Sequence, residues 1–223
     1  MVAQRLSVVV PALNEAAGIE RCLEALAPLR ARGHEVLLAD GGSSDGTPRL
    51  AAPHCDRVVG APRGRALQMN AGAAAASGDA LLFLHADTFL PPDADALVLE
   101  ALVAHAWGRF DVSIDSADAR LAVIAFCMNR RSRLTGIATG DQAIFVRRAE
   151  FKGFPAIALM EDVALCKAMR RVSPPACLRE RVLTSARRWE RHGVLRTVLL
   201  MWRLRLQYWL GADPDDLARR YSH

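Results

Sequence analysis

Short apolar runs alternate with longer amphipathic stretches through the first half of the chain. Leu6–Val10, Val36–Ala39, Arg57–Val59 and Ala80–Leu84 have the length of strands. Ala16–Arg30, Thr47–Ala52 and Arg65–Ser77 lie between them and read as helices. Continuous apolar runs separated by helices mark parallel strands covered on both faces. Repeated strand–helix–strand units then predict a mostly parallel, doubly wound α/β sheet. The second half is less regular. Trp107–Ile114 alternates like a strand, Ala119–Arg131 reads as a helix with an arginine-rich end, and Ala143–Val146 reads as a short strand. Leu159–Val172 is expected to be a helix, with Glu161 and Asp162 at its positive end. Val194–Leu210 is expected to be a long helix, and residues 1–223 to form one domain with a C-terminal helix at about 193–210.

This pattern places three polar loops after strands: Pro11–Glu15, Asp40–Thr47 and His85–Pro92. Open α/β sheets bind ligands at the carboxyl ends of their strands, so the three loops are aimed at one crevice. Asn14 and Glu15 offer polar contacts at a helix entrance, although a plain helix start has the same composition. Glycines in Asp40–Thr47 allow close approach of a ligand to the backbone. Asp45-Gly46 also makes an ordinary turn, which accounts for Asp45 and leaves Asp40 unexplained. Asp40 can accept from a base N–H or a ribose hydroxyl. Asp87 can hold Mg²⁺ or Mn²⁺, which take oxygen ligands and share them with phosphates. Neither Gly-x4-Gly-Lys-Ser/Thr nor Gly-x-Gly-x-x-Gly occurs in the chain.

Composition narrows the partners. The net charge is +5, and all basic residues except Lys152 and Lys167 are arginine. Arginine is the better fork for phosphate and carboxylate, while a GC-rich genome would give the same bias. The balance suits an anionic substrate or an anionic membrane surface and is too evenly spread for nucleic acid. Five cysteines without a Cys-x-x-Cys pair argue against a disulfide framework or zinc site and suit a reducing compartment. Leu6–Val10 is too short for a secretory core, and no run of roughly 18 uncharged apolar residues occurs. A cytoplasmic protein, peripheral to a membrane at most, is expected.

Taken in order, the loops resemble the family-2 glycosyltransferases, with the GT-A nucleotide-diphospho-sugar transferase fold. Pro11–Glu15 resembles the family's first motif. Asp40–Thr47 resembles Asp-Asp-Gly-Ser-x-Asp-Gly-Thr with Gly41 for the second Asp, and His85-Ala86-Asp87 resembles Asp-x-Asp with His85 for the first. Gly140-Asp141-Gln142, Glu161-Asp162 and Arg188-Trp189 follow in the family's order. The segments Leu84–Thr88, Thr139–Gln142 and Ser185–Glu190 look most like a small bacterial subgroup associated with radical-SAM, selenium or arsenosugar gene clusters.

The resemblance implies an inverting, metal-assisted transfer from a UDP- or GDP-sugar to a hydroxyl acceptor. It implies donor contacts from Pro11, Ala12, Asn14, Glu15, Asp40, Arg65, Ala86 and Asp87, with Asp87 on Mn²⁺ or Mg²⁺. It implies Asp162 as the base, and Gly140, Asp141, Gln142, Glu161, Arg188 and Trp189 on the acceptor side. Ser185 replaces the Gln of the processive Gln-x-x-Arg-Trp signature, which puts processivity in doubt. A sugar nucleotidyltransferase and a non-catalytic nucleotide-binding protein of the same fold are the rival readings. Adjacent helix positions point about 100° apart, so one of Glu161 and Asp162 is expected inward and the other outward. The aromatic, arginine-bearing last helix has three candidate partners: a membrane surface, a second subunit or the domain core.

Overall fold

The computed structural model describes residues 4–221. The first half contains strands β1 (Leu6–Ala12), β2 (Glu35–Asp40), β3 (Arg57–Gly60) and β4 (Ala80–Phe83). Helices α1 (Ile19–Glu24), α2 (Ala27–Ala31), α3 (Thr47–Ala51) and α4 (Arg65–Ala75) separate them. The stretch expected as one helix over Ala16–Arg30 is thus two. Pro28, at the start of α2, has no N–H to continue the first helix's ladder.

The second half contains β5 (Thr88–Phe89), α5 (Ala94–Ala104), β6 (Trp107–Asp115), α6 (Ala119–Thr135) and β7 (Phe145–Arg147). It ends with α7 (Glu161–Met169), β8 (Ala176–Ser185), α8 (Arg187–His192), α9 (Val194–Trp209) and α10 (Pro214–Tyr221).

All eight strands form one sheet in the order β3-β2-β1-β4-β7-β6-β8-β5. The expected parallel arrangement holds across β3-β2-β1-β4 and again between β6 and β8. The pairs β4–β7, β6–β7 and β5–β8 are antiparallel, so the far half of the sheet is mixed. Strand alternation explains the two cores. Leu6, Val8 and Val10 pack on one face with Ile19, Leu23 and Val98, while Val9, Leu37 and Leu81 pack on the other with Met69, Leu165 and Met169. Each fully buried Leu or Val contributes roughly 1.5–3 kcal/mol. A third cluster joins Met160, just before α7, to Leu204 of α9 and Leu217 of α10.

Two buried polar knots fix the frame. Glu35 accepts from the Ser7 hydroxyl at 2.6 Å and from the Ser77 amide at 2.8 Å, tying β2 to β1 and to the end of α4. Arg109 is buried against Asp111, and Arg133 donates to the same Asp111 at 2.7 Å, which clamps α6 onto β6. Gly108 lies where β6 crosses β7 and β8: a Cβ there would stand 2.5 Å from the Ala176 carbonyl oxygen and collide with the Phe145 ring. Gly108→Ala should therefore cost about 1–3 kcal/mol in urea unfolding. An unchanged unfolding midpoint would show that this crossing is looser than described.

Candidate functional site

The carboxyl ends of β1, β2 and β4 form one edge, as the loop positions predict. Asp40 closes β2, and its Oδ2 accepts from the amides of Gly42 and Ser43 at 3.0 Å each. Its Oδ1 is buried and finds no hydrogen-bond partner among the described residues. A buried acceptor oxygen left in that state is costly unless a ligand donates to it. Asp45, by contrast, is spent on the scaffold: it accepts from the Thr47 hydroxyl at 2.6 Å and from the Ala16 amide at 2.9 Å. Asn14, in the left-handed region at φ 56°, accepts from the Ser44 amide at 2.9 Å and so joins the first two loops. The Ala12 side chain is buried, and its carbonyl accepts from Gln68 and, at 2.9 Å, from the Gly41 amide.

The third loop brings acids together. Two ties hold the end of β8 against Asp87. The Ser185 amide donates to the Asp87 carbonyl at 3.2 Å, and the hydroxyls of Thr88 and Thr184 meet at 3.0 Å. Arg187 therefore reaches back over this edge. One guanidinium nitrogen donates to the Asp87 carboxylate at 3.1 Å and to the Glu15 carboxylate at 3.2 Å. A cationic nitrogen thus stands where two carboxylates converge. Among the described residues no three His, Cys, Asp or Glu side chains form a metal cage. A hard divalent cation on this edge would take Asp87, with or without Glu15, and draw its other oxygens from phosphate and water, as Mg²⁺ and Mn²⁺ sites do.

His85, in the first position of that motif, turns away from Asp87. Its Nδ1 lies 3.2 Å from the Asp141 carboxylate. Its ring packs on Gly140, where a Cβ would overlap the imidazole, so a larger residue there would displace the His85 ring. Burial works to raise the Asp141 carboxyl, but the His85 hydrogen bond and the charges of His85, Arg65 and Arg188 outweigh it, and the net direction is down.

Glu161 and Asp162 open α7 after Met160, which is held in the left-handed region at φ 70°. Asp162 is anchored by the Gly140 amide at 3.0 Å and its neighbour's amide at 2.7 Å. Glu161 is buried and faces Arg65 at 3.7 Å. The expected division into one inward and one outward acid does not occur, because both line the cavity. Burial raises both carboxyls, and each acid has an acidic neighbour that adds to it: Asp162 for Glu161, and Asp141 for Asp162. Arg65 and, for Asp162, the two amides oppose the rise without cancelling it.

These groups share a cavity of about 720 Å³. Pro11, Glu15, Arg65, Ala86, Asp87, Gly140, Asp141, Glu161, Asp162, Arg188 and Trp189 all line it. Ala12, Asn14 and Asp40 stand outside it, along the β1–β2 end of the same edge. Gln142 does not belong to the acceptor side. It is fully buried, donates to the Ser132 hydroxyl at 3.0 Å and accepts from the Thr139 amide at 3.3 Å, so it braces the Gly140 turn from behind. Trp189 is half-buried on the cavity wall and is not a core residue. Arg188 stacks on Tyr221, its guanidinium carbon 3.7 Å from the ring centroid. The pairing of Arg187 and the facing of α6 against α9 across the cavity were not foreseen, and no local spacing announces either.

The glycosyl transferase family 2 model matches residues 7–160. A PGL/p-HBAD biosynthesis glycosyltransferase of Mycobacterium bovis is 38% identical over 97 residues, which are 40% of this chain and 38% of that protein. Staphylococcus aureus TarS in complex with UDP-GlcNAc superposes with a TM-score of 0.66 at 16% identity, covering 82% of this chain and 58% of that one. The Pyrobaculum calidifontis mannosyltransferase PcManGT, in complex with GDP-Man and Mn²⁺, superposes with a TM-score of 0.64 at 20% identity over 90% and 60% of the two chains. The chain thus spans less than two thirds of the length of each of these proteins.

The raised Asp162 carboxyl has a consequence for stability. The folded chain holds that proton more tightly than the unfolded one, so the stability linked to it is complete at acid pH and is lost as pH rises through the raised value. Asp162→Asn removes this dependence. The stability of Asp162→Asn minus that of wild type should become more positive from about pH 4 to about pH 7, whatever constant offset a lost hydrogen bond adds. Thermal melts across this range check it, and a flat or falling difference would contradict the raised carboxyl.

Proposed function

The chain belongs to glycosyl transferase family 2 and has the GT-A fold, and from that premise we propose that it moves a sugar from a UDP- or GDP-sugar to a hydroxyl acceptor with inversion at the anomeric carbon. The observation that carries this reading is the Asp162 carboxylate, fixed by two amides in the cavity that Asp87 also lines. A base at the acceptor and a charge-neutralising group at the diphosphate are the two things the reaction needs.

In this reading the free Oδ1 of Asp40 accepts from the nucleobase or ribose, and the loop Pro11–Glu15 walls the nucleoside. A divalent cation on Asp87 would neutralise charge on the departing diphosphate, in line with the Mn²⁺ in the PcManGT complex. Arg187 must then release Asp87, and it becomes a second cation for the phosphates. Arg65 and Arg188 add positive potential along the same wall. Asp162 takes the proton from the acceptor hydroxyl as its oxygen attacks the anomeric carbon from the face opposite the diphosphate, so one displacement inverts the centre. The raised carboxyl makes Asp162 a stronger base than an exposed aspartate. Glu161, paired with Arg65, positions that arginine.

Arg187 on Asp87 also favours a second reading, a nucleotide-binding protein that retains the fold without catalysis. One assay separates the two: release of nucleoside diphosphate from UDP- and GDP-sugars in Mn²⁺, with water as acceptor. The transferase reading expects turnover in wild type. Asp162→Asn should lose about 10²–10⁴-fold, or roughly 3–5 kcal/mol of barrier, with calorimetric donor affinity kept within a few-fold. Glu161→Gln should lose less. Wild-type turnover in Asp162→Asn would remove the assigned base, and no turnover in wild type would favour the second reading.

A further inference from the structure

Helix α9 carries its apolar stripe on the wrong side for a core helix. Leu195, Leu199, Trp202, Leu206 and Trp209 recur every three or four positions and therefore share one face. They are 57–74% exposed. The opposite face is already satisfied: Thr197 and Leu204 are buried, and Leu204 packs with Met160 and Leu217. Burial against the domain core, one of the roles open to this helix from sequence, is thus excluded for the stripe. Helical geometry sets Arg196 and Arg203 about 80–100° to one side of it and Arg205 about 80° to the other. Arg205 also lines the cavity and its Nε is buried, so Arg196 and Arg203 form the exposed basic flank. An apolar face beside exposed arginines is the pattern of a helix lying in a lipid interface, and these two complement anionic headgroups. Among the described residues no helix is long and apolar enough to cross a membrane, so contact of this kind would stay at the surface.

The cavity opens onto the same face. Val123 of α6 and Trp202 of α9 both line it and are 61% and 71% exposed, so they stand at its rim. Behind them its wall is mixed. Ile124 and Met128 from α6 and Val198 and Met201 from α9 are apolar, while Arg131 of α6 and Arg205 of α9 also line it, each with a buried guanidinium nitrogen that has no hydrogen-bond partner among the described residues. This wall leads to Met160 and Asp162. An amphiphilic acceptor would match both parts, its hydrocarbon on the apolar side chains and its polar or anionic group at the arginines. We propose that the acceptor is an amphiphile drawn from an anionic membrane, its hydrocarbon part lying between α6 and α9 and its hydroxyl at Asp162, while the α9 stripe rests on the lipid. The proposal depends on the transferase reading for the role of Asp162, and its surface contact can be tested without catalysis.

The test uses the full chain and vesicles of equal parts phosphatidylcholine and phosphatidylglycerol containing a hexadecanol that carries a diazirine. Wild type should float with these vesicles and stay behind with phosphatidylcholine alone. Leu199→Glu with Trp209→Glu should weaken flotation by about tenfold or more and leave UDP affinity unchanged, since neither residue lines the cavity. Illumination should crosslink the alcohol to peptides from 119–135 and 194–209. Absence of flotation with intact UDP binding, crosslinks spread over other elements, or a dimer in sedimentation velocity that the double substitution dissolves would each overturn the proposal, the last by showing that a second copy covers the stripe. Absence of both UDP and GDP binding in wild type would count against the transferase reading itself.

Discussion

Five carboxylates crowded into one cavity repel one another unless positive charge stands between them, and this requirement organises the working edge of the sheet. Glu15, Asp87, Asp141, Glu161 and Asp162 line one cavity. Arg187 answers the first two, His85 the third and Arg65 the fourth. Asp162 alone of the five has no cation within ion-pair distance among the described residues and leans on backbone amides. Burial outweighs the two amides and the charge of Arg65, so the Asp162 carboxyl is pushed up, as is that of Glu161 despite its arginine. In the function proposed above, Asp87, with or without Glu15, is the cation-binding side and Asp162 the proton acceptor.

The half of the fold that carries the first group was legible because its grammar is local. β1, β2 and β4 are apolar runs buried on both faces, and each is followed by a polar loop at the ligand-binding edge. Asp40, Asp87 and Asp162 could be picked out by position on that edge or by the family's motif order. What escaped depends on distant partners. Arg187 meets Glu15 across 172 positions and Asp87 across 100, and no spacing encodes such a pairing. β8 was hidden by Arg179, Glu180 and Arg181 in its middle, which are tolerated because that stretch is exposed. α5 is apolar on most sides and shows little periodicity. Gln142 sat within a motif of binding residues, and only its burial reveals that it holds the turn in place.

The C-terminal helices do more than extend the domain. Met160, strained at positive φ, is trapped between Leu204 and Leu217, and the residue after it starts the helix that presents both acids. Strain of this kind persists only where packing over-determines it. Helices α9 and α10 therefore fix the orientation of Asp162, and α9 also supplies one wall of the cavity. In the proposed function, base position and acceptor environment come from the same packing, while the donor edge is set separately by β1, β2 and the Asp45 and Asn14 turns.

The central claim is that Asp87, with or without Glu15, takes a divalent cation that serves a nucleotide diphosphate, its carboxylate held by Arg187 when ligand is absent. Calorimetric titration of UDP and GDP into wild type and Asp87→Ala, each with and without Mn²⁺, tests it most directly. The account predicts that one of the nucleotides binds wild type more tightly with Mn²⁺ than without, and that Asp87→Ala loses this gain while keeping the metal-free affinity. An equal Mn²⁺-dependent gain in both proteins, or no binding of either nucleotide to wild type under any of these conditions, would contradict it.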